Sequence, residues 1–482
     1  MKNSIKINLF YNSIYQIFIL ILPLVTAPYI SRVIGADGLG IYSYNYSIAL
    51  YFVYFAKLGI LNYGNRCISK VADDFKERLK VFSSIYLFQL FISSLVFIIY
   101  ILYVIFFVNE FNNIAYILSI FVASSIFDVS WYYFGIQEFK KTSLKQLVIR
   151  IFTFIFIILF VKDKNDLWLY AVIMSLSYFL SNFSLWIFLI KNFSFNSLKI
   201  KDVFGHFKPC LILFIPIIAT SIYRVMDKIM IGVFSTMTQV GYYENAEKII
   251  MVSLGLLGSF SNVIMPKISN LIANNNESDA NKLFDKSMKF GIFIGVAIAF
   301  GIASVSNEFI PLFFGEEFIN SVSVSFVLCV SVPFIAWSTI IRNLYLIPRE
   351  KDFIYVKSVI YGALINLLFN IFFIYKYGAL GATFGTIAAE ATLAIYQTLK
   401  IKNNFDLNKY LRLFMIYAFF GFIMFIFVIF IKQFLLNNFI GLILEILFGA
   451  FVYLLLSFIY IFSTDKEKIF NFFKKIKIKR GN

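Results

Sequence analysis

Near the middle of the chain, inside an apolar stretch, Thr220, Arg224, Asp227 and Lys228 stand at i, i+4, i+7 and i+8. On a helix that spacing places all four on one face, while Ile222, Val225, Met226 and Ile229 cover the other sides. Such a stripe can hold an anion through Arg224 and Lys228, or a proton or cation through Asp227. The following stretch carries Glu244, Glu247 and Lys248 in a comparable stripe, so the hairpin is expected to pair Asp227 or Glu247 with Lys248 or Lys228, as a simple staple or as part of a site. Lys57, Asp128, Arg342, Glu390 and Glu445 complete a set of eleven ionisable residues within or at the edge of apolar windows. At roughly 2.5–3.5 kcal/mol for each charge at a membrane centre, leaving even half of them in lipid would exceed the ~5–15 kcal/mol that holds a fold together. They must face one another or water.

Neutral polar residues extend the pattern. Asn8, Asn12 and Gln16 share a face of the first window, and Pro23 and Pro28 are expected to break or bend it into a gate. Tyr42, Tyr44 and Tyr46 read as interfacial, whereas Tyr51 and Tyr54, deeper and near Lys57, are candidates for stacking on a sugar ring. Glu390, eleven residues into its window, is the acid nearest a bilayer midplane and a candidate for carrying a coupling ion. Gly362, Asn366 and Asn370, like the pairs Gly291/Gly295 and Gly381/Gly385, read as helix packing. A cross-cavity pair of Asp128 with Arg342 competes with Arg342 snorkelling to the surface.

Other chemistry is excluded by what is scarce. One histidine, His206, rules out histidine relays and His-rich metal centres, and Cys67, Cys210 and Cys329 are too far apart for a disulfide framework or a zinc site. No P-loop pattern occurs, so the chain does not hydrolyse ATP through one. No metal and no cofactor is expected.

The elements that must position these residues follow from composition. Of 482 residues, 60% are hydrophobic, 14% are charged and 62 are Phe, with a mean hydropathy of +0.83. Lipid must be the solvent over most of the length. Fourteen windows long enough to cross a ~30 Å hydrocarbon core recur from 8–30 to 438–462, joined by short connections, the longest expected outer one being 306–320. With a cytoplasmic N-terminus, 33 of the 43 Lys and Arg fall within or beside inner connections and five lie outside. That is the positive-inside pattern, and it explains the net charge of +17 without nucleic acid. The halves echo each other. "SRVIGADGLGIYSYNYS" at 31–47 and "VFSTMTQVGYYENAEKI" at 233–249 share an outer turn, a Gly (Gly40, Gly241) and Tyr residues, with a weaker echo between 137–180 and 350–393. The expected fold is an all-α membrane protein of two six-helix lobes in parallel repeat, 1–200 and 201–405, then two further helices at 406–463 and a basic tail at 464–482, both termini cytoplasmic.

Four stretches, "PYISRVIGADGLGIYSY" at 28–44, "DVSWYYFGIQEFKK" at 128–141, "DKIMIGVFSTMTQVGYYENAEKI" at 227–249 and "GALINLLFNIFFIYKYGALGATFGTIAAE" at 362–390, together resemble the bacterial polysaccharide flippases of the multidrug/oligosaccharidyl-lipid/polysaccharide exporter superfamily. The resemblance runs from end to end. It implies a central cationic cavity that alternates between inward and outward openings, carrying undecaprenyl-pyrophosphate-linked repeat units of O-antigen or capsule across the bacterial cytoplasmic membrane. Arg224, Lys228 and Lys57 would neutralise the pyrophosphate, Tyr51, Tyr54, Asn12 and Gln16 would contact the glycan, and Glu390 or Asp227 would couple transport to H+ or Na+. Membrane lipids and a polysaccharide polymerase are the further partners it implies. A cation-coupled multidrug exporter and a lipid II flippase of the same superfamily are the alternatives; the first would want an acid-dominated cavity, against five Lys and Arg inside windows. A membrane enzyme is disfavoured by the missing intramembrane His and large outer loop.

Overall fold

The computed structural model describes residues 2–189, 200–402 and 406–464, and among these it is helical throughout, with no strand. The basic tail beyond residue 464 lies outside the described residues. The chain begins with α1 (Lys2–Lys57), α2 (Ile60–Lys70), α3 (Phe75–Phe107), α4 (Asn112–Ser124), α5 (Ser130–Gly135), α6 (Phe139–Phe160) and α7 (Leu167–Phe183). It continues through α8 (Ile200–Phe204), α9 (Phe207–Phe234), α10 (Met237–Ala273), α11 (Glu277–Phe314), α12 (Ser321–Leu328) and α13 (Ser331–Ile341). The last elements are α14 (Asp352–Tyr377), α15 (Ala379–Ile401), α16 (Leu407–Lys432) and α17 (Phe439–Thr464).

Among the described residues, ten helical stretches are long and apolar enough to span a membrane, and the pair α12–α13, bent by 43°, makes an eleventh. These coincide with eleven of the fourteen expected windows. The other three lie on helix as well: the first two on α1 and its continuation into α2, and 144–161 on α6. Side chains facing outward, such as Phe106, Phe372 and Leu447, are 70%, 72% and 61% exposed. Only hydrocarbon accepts such a surface, and helices accept hydrocarbon because their backbone polar groups are satisfied internally.

The prolines of α1 do not break it. The backbone stays helical past Pro23 and Pro28, and the interruption falls at Gly35 (φ 77°, ψ 178°), a conformation only glycine takes without strain. The connection expected at 306–320 is also corrected, because α11 runs on through it to Phe314.

Two compact units divide the chain. One comprises Met1–Asn245 with Ala363–Gly385, the other Ala246–Gly362 with Thr386–Asn482. In the first, Ile60, Ile68, Phe82, Phe88, Trp131 and Tyr133 form one core, and Tyr42, Val53, Tyr100, Leu118, Phe121 and Ala171 another. Tyr42 and Tyr46, expected at the membrane interface, are instead stacked at 5.7 Å inside that second core, with the Tyr46 hydroxyl 3.1 Å from that of Tyr178. The segments that echo one another in sequence also touch, two of the hydrogen-bonded pairs lying 201 positions apart. Thr238 donates to Asp37 (3.1 Å) and Ser43 to Glu244 (2.7 Å). A Cβ on Gly40 would overlap the Met237 carbonyl, and one on Gly241 the Ala36 carbonyl. Reciprocity of this kind is what a two-fold axis produces.

The second unit is built on α11, α13, α16 and α17 around Phe284, Met288, Ile340, Tyr417, Met424 and Tyr453. Gly291 and Gly295 face Ile340 and Ala336, where a Cβ would come within 2.7 Å of either, which makes this pair a packing face as expected.

Candidate functional site

Two broken helices in the first unit meet over one ion pair. After Lys57 the chain turns through Leu58 (φ 37°) and Gly59 (φ 73°) before α2 starts, and Gly59 is glycine because a Cβ there would come within 2.7 Å of the Cys210 carbonyl on α9. After α4 and a short 3₁₀ turn, Asp128 is extended (ψ 94°) before α5 starts. Broken helices free backbone groups that hydrocarbon cannot satisfy, and α3 supplies partners to both breaks from one face. Gln89 donates to the carbonyls of Ser125 (3.0 Å) and Asp128 (2.9 Å) and accepts from the Trp131 indole (2.8 Å). Ser93, one turn on, donates to Ala56 (2.9 Å). Close packing of Gly64 on Trp131 and of Gly135 on Ile68 then seats α2 against α5.

Across the breaks, Lys57 Nζ lies 2.5 Å from Asp128 Oδ2, whose other oxygen accepts from the Ser130 backbone N–H at 3.1 Å. The two sides are not equivalent: the Asp128 side chain is 9% exposed and that of Lys57 34%. The carboxylate is fixed, and the ammonium still reaches outward.

α9 carries the predicted stripe beside this pair. Tyr51 on α1 donates to the Ser221 carbonyl (3.1 Å) and meets Tyr54 edge to face at 6.3 Å. Tyr54 lies in the electrostatic field of Arg224, Lys57 and Lys228 at once. Arg224 is exposed, with its guanidinium 5.9 Å from the Tyr223 ring. Lys228 pairs with Glu244 at 2.7 Å, and Ser43 shares that carboxylate. Asp227 is 1% exposed and accepts from the Tyr243 hydroxyl (2.7 Å) and from Asn370 Nδ2 (2.6 Å). Of the predicted residues, Lys57, Arg224, Lys228, Tyr51, Tyr54 and Asp227 therefore gather in one unit. Lys228 meets the next helix through Glu244, an acid other than the Asp227 or Glu247 expected.

Others are placed elsewhere. Glu390, on α15, belongs to the second unit and is 6% exposed. The side chains of Asn12 and Gln16 lie outside the described residues. Arg342 makes contacts within its own unit, donating to Asn343 (2.8 Å) and Tyr355 (3.3 Å) over the Tyr355 ring.

Sequence reasoning missed Gln89 and favoured packing over a polar, gate-like role for Asn366 and Asn370. Both amides are fully buried, Asn370 also donates to Asn366 (3.2 Å), and Gly385 leaves the space they occupy, since a Cβ there would overlap Asn370 Oδ1. The signal was present in the i, i+4 spacing of the two asparagines. What it lacked was the partner, Asp227, 143 residues away.

The profile of the family described as "Polysaccharide biosynthesis protein" matches residues 5–272. A protein of Shigella dysenteriae bearing the name "Putative O-antigen transporter" is 23% identical over 353 residues, covering 71% of this chain and 87% of its own. Among solved structures, the lipid II flippase MurJ in an inward closed conformation superposes with a TM-score of 0.77 at 19% identity, covering 94% of this chain and 98% of its own. An inward-facing multidrug resistance MATE family transporter of the MOP superfamily gives 0.57 at 13%, covering 80% and 98%. The fold is theirs.

Proposed function

The chain belongs to the polysaccharide biosynthesis protein family, and from that membership we propose that it is a flippase carrying undecaprenyl-pyrophosphate-linked oligosaccharide repeat units from the cytoplasmic to the outer leaflet of a bacterial inner membrane. Alternating access of two six-helix lobes in parallel repeat is the mechanism that goes with this reading, and the reciprocal contacts of Gly40 with Met237 and of Gly241 with Ala36 support the repeat.

One observation carries the proposal: Lys57 stands at the break after α1, held by Asp128, while Arg224 and Lys228 share one face of α9 in the same unit, Lys228 held by Glu244. A pyrophosphate brings concentrated negative charge, and charge-assisted hydrogen bonds to it contribute about 1.5–3 kcal/mol each. Asp128 and Glu244 hold Lys57 and Lys228 when cargo is absent, so binding exchanges one anion for another. That exchange keeps the cargo releasable. Tyr51 and Tyr54 offer aromatic faces to sugar rings. From their i, i+4 spacing in the sequence, Asn12 and Gln16 are assigned to contact with the glycan. Asp227 and Glu390 couple the cycle to H+ or Na+, the chain having no P-loop. A polysaccharide polymerase is the partner that would consume the product.

The test is translocation of a lipid-linked repeat unit in cells or vesicles with Lys57→Ala and Arg224→Ala. Each loses roughly 10- to 100-fold in rate; wild-type rates in both would refute the site.

A further inference from the structure

Glu308, Lys432 and Glu445 come together in the second unit at one end of three packed helices. Glu308 sits six residues before the end of α11, Lys432 closes α16, and Glu445 sits six residues into α17. The Lys432 ammonium pairs with Glu308 Oε1 and also acts on Glu445. The two acids are 6% and 3% exposed, and each has a buried oxygen, Oε2 in both, with no hydrogen-bond partner. Lys432 is the wet member, its side chain 39% exposed.

Two buried carboxylates share one partly exposed ammonium, which leaves the cluster a net charge of −1. An uncompensated buried charge costs several kcal/mol, and among the described residues the counter-charge on Glu308 is Lys432, while Glu316 and Glu317 in the following connection are exposed acids and Gln433, Asn437 and Asn438 are neutral. A metal ion is a poor answer beside an ammonium. A proton is a good one, because it forms an O–H bond on one carboxylate and needs only an acceptor, and two free acceptor oxygens are present.

We propose that Glu308, Lys432 and Glu445 form a proton-binding site that takes up one proton from water between the two carboxylates while Lys432 stays charged. The step is a simple transfer: hydronium gives its proton to one Oε2, and water is released. Basic-residue counting assigns this end of the helices to the outer face, so the site would load from outside; its use as an entry point for coupling rests on the flippase reading, but proton binding does not.

Infrared difference spectra of the full-length protein in nanodiscs, taken between about pH 8 and about pH 5, test it. A protonated-carboxyl band is expected that loses about half or more of one carboxyl's amplitude in Glu308→Gln and again in Glu445→Gln, because the pair titrates as a unit. Lys432→Gln should add a second protonated carboxyl. Glutamine mimics the protonated acid, so both Gln variants should keep their unfolding midpoints; should one fail to fold, the other supplies the reading. Bands unchanged in the Gln variants, or a response to Na+ in place of protons, would overturn the proposal. Glycan translocation measured alongside keeps the two readings apart, since a dead transporter can still show the band.

Discussion

Of the stretches expected to cross as single helices that are broken, one at Asp128 and one at Cys329 and Val330 are built from opposite chemistry. At Asp128 the freed carbonyls are bound by Gln89 from a neighbouring helix, and a carboxylate holds a half-exposed lysine. Around Cys329 the break is dry. Leu328, Cys329 and Val332 are buried among Ile250 and Ala299, the Cys329 N–H returns to Ser325 (2.9 Å), and Ser331 donates to the Leu328 carbonyl (2.7 Å). A break alone is a bend; it becomes a place to keep a charge only when a second helix services its backbone and a counter-ion fixes the acid.

The largest effect should come from removing that service. Gln89→Leu strands the buried Asp128 carbonyl and Trp131 indole at about 1–3 kcal/mol each and leaves the Ser125 carbonyl only the Asp128 N–H at 3.4 Å, so the thermal midpoint in detergent should drop by many degrees. An unchanged midpoint would mean that the wet break supports itself as the dry one does. Next is the ion pair. Asp128→Asn should cost about 2–3 kcal/mol, less than the ~3–5 for breaking a fully buried pair because Lys57 keeps some water. The swap Lys57→Asp with Asp128→Lys sharpens the comparison: it should recover the midpoint and leave translocation impaired, since the cation now sits where the acid was buried. Recovery of both would reduce the pair to a staple.

A third test asks whether Asp227, the other buried acid of this unit, is also held from outside its own helix. Gly385→Ala forces a Cβ into Asn370 and so off Asp227. Overpacking of this kind costs about 1–3 kcal/mol, and ion dependence of translocation should weaken beyond what the stability loss explains. Unaltered ion dependence would detach Asn370 from the Asp227 role.

How far these features were legible follows from which forces set them. Apolar windows fixed the spans, because a membrane tests each segment by itself, and the one-face stripe on α9 appeared as soon as the spacing was counted. Breaks were harder. Pro23 and Pro28 looked like breakers and are not, since helices in lipid tolerate proline when neighbours re-satisfy the freed carbonyl; Gly35 and Gly59 break the chain because another backbone or a positive φ demands glycine there. Glu308 was lost to a presumed loop that is helix to Phe314. Partners such as Gln89 for Asp128 and Asn370 for Asp227 are set by tertiary contact, which no local spacing encodes.

The smallest effect belongs to the dry break. Ser331→Ala removes one hydrogen bond to the Leu328 carbonyl, and at that carbonyl the loss is bounded by the ~0.5–1.5 kcal/mol of a neutral bond, because no charge nearby depends on its direction. The midpoint should shift by a degree or two and translocation should stay near wild type. This is where the comparison is most exposed. If so mild a change near Cys329 slowed translocation as much as Asp128→Asn does, the bend in α12–α13 would be a working part with its own chemistry, and charge could no longer be what separates the two breaks.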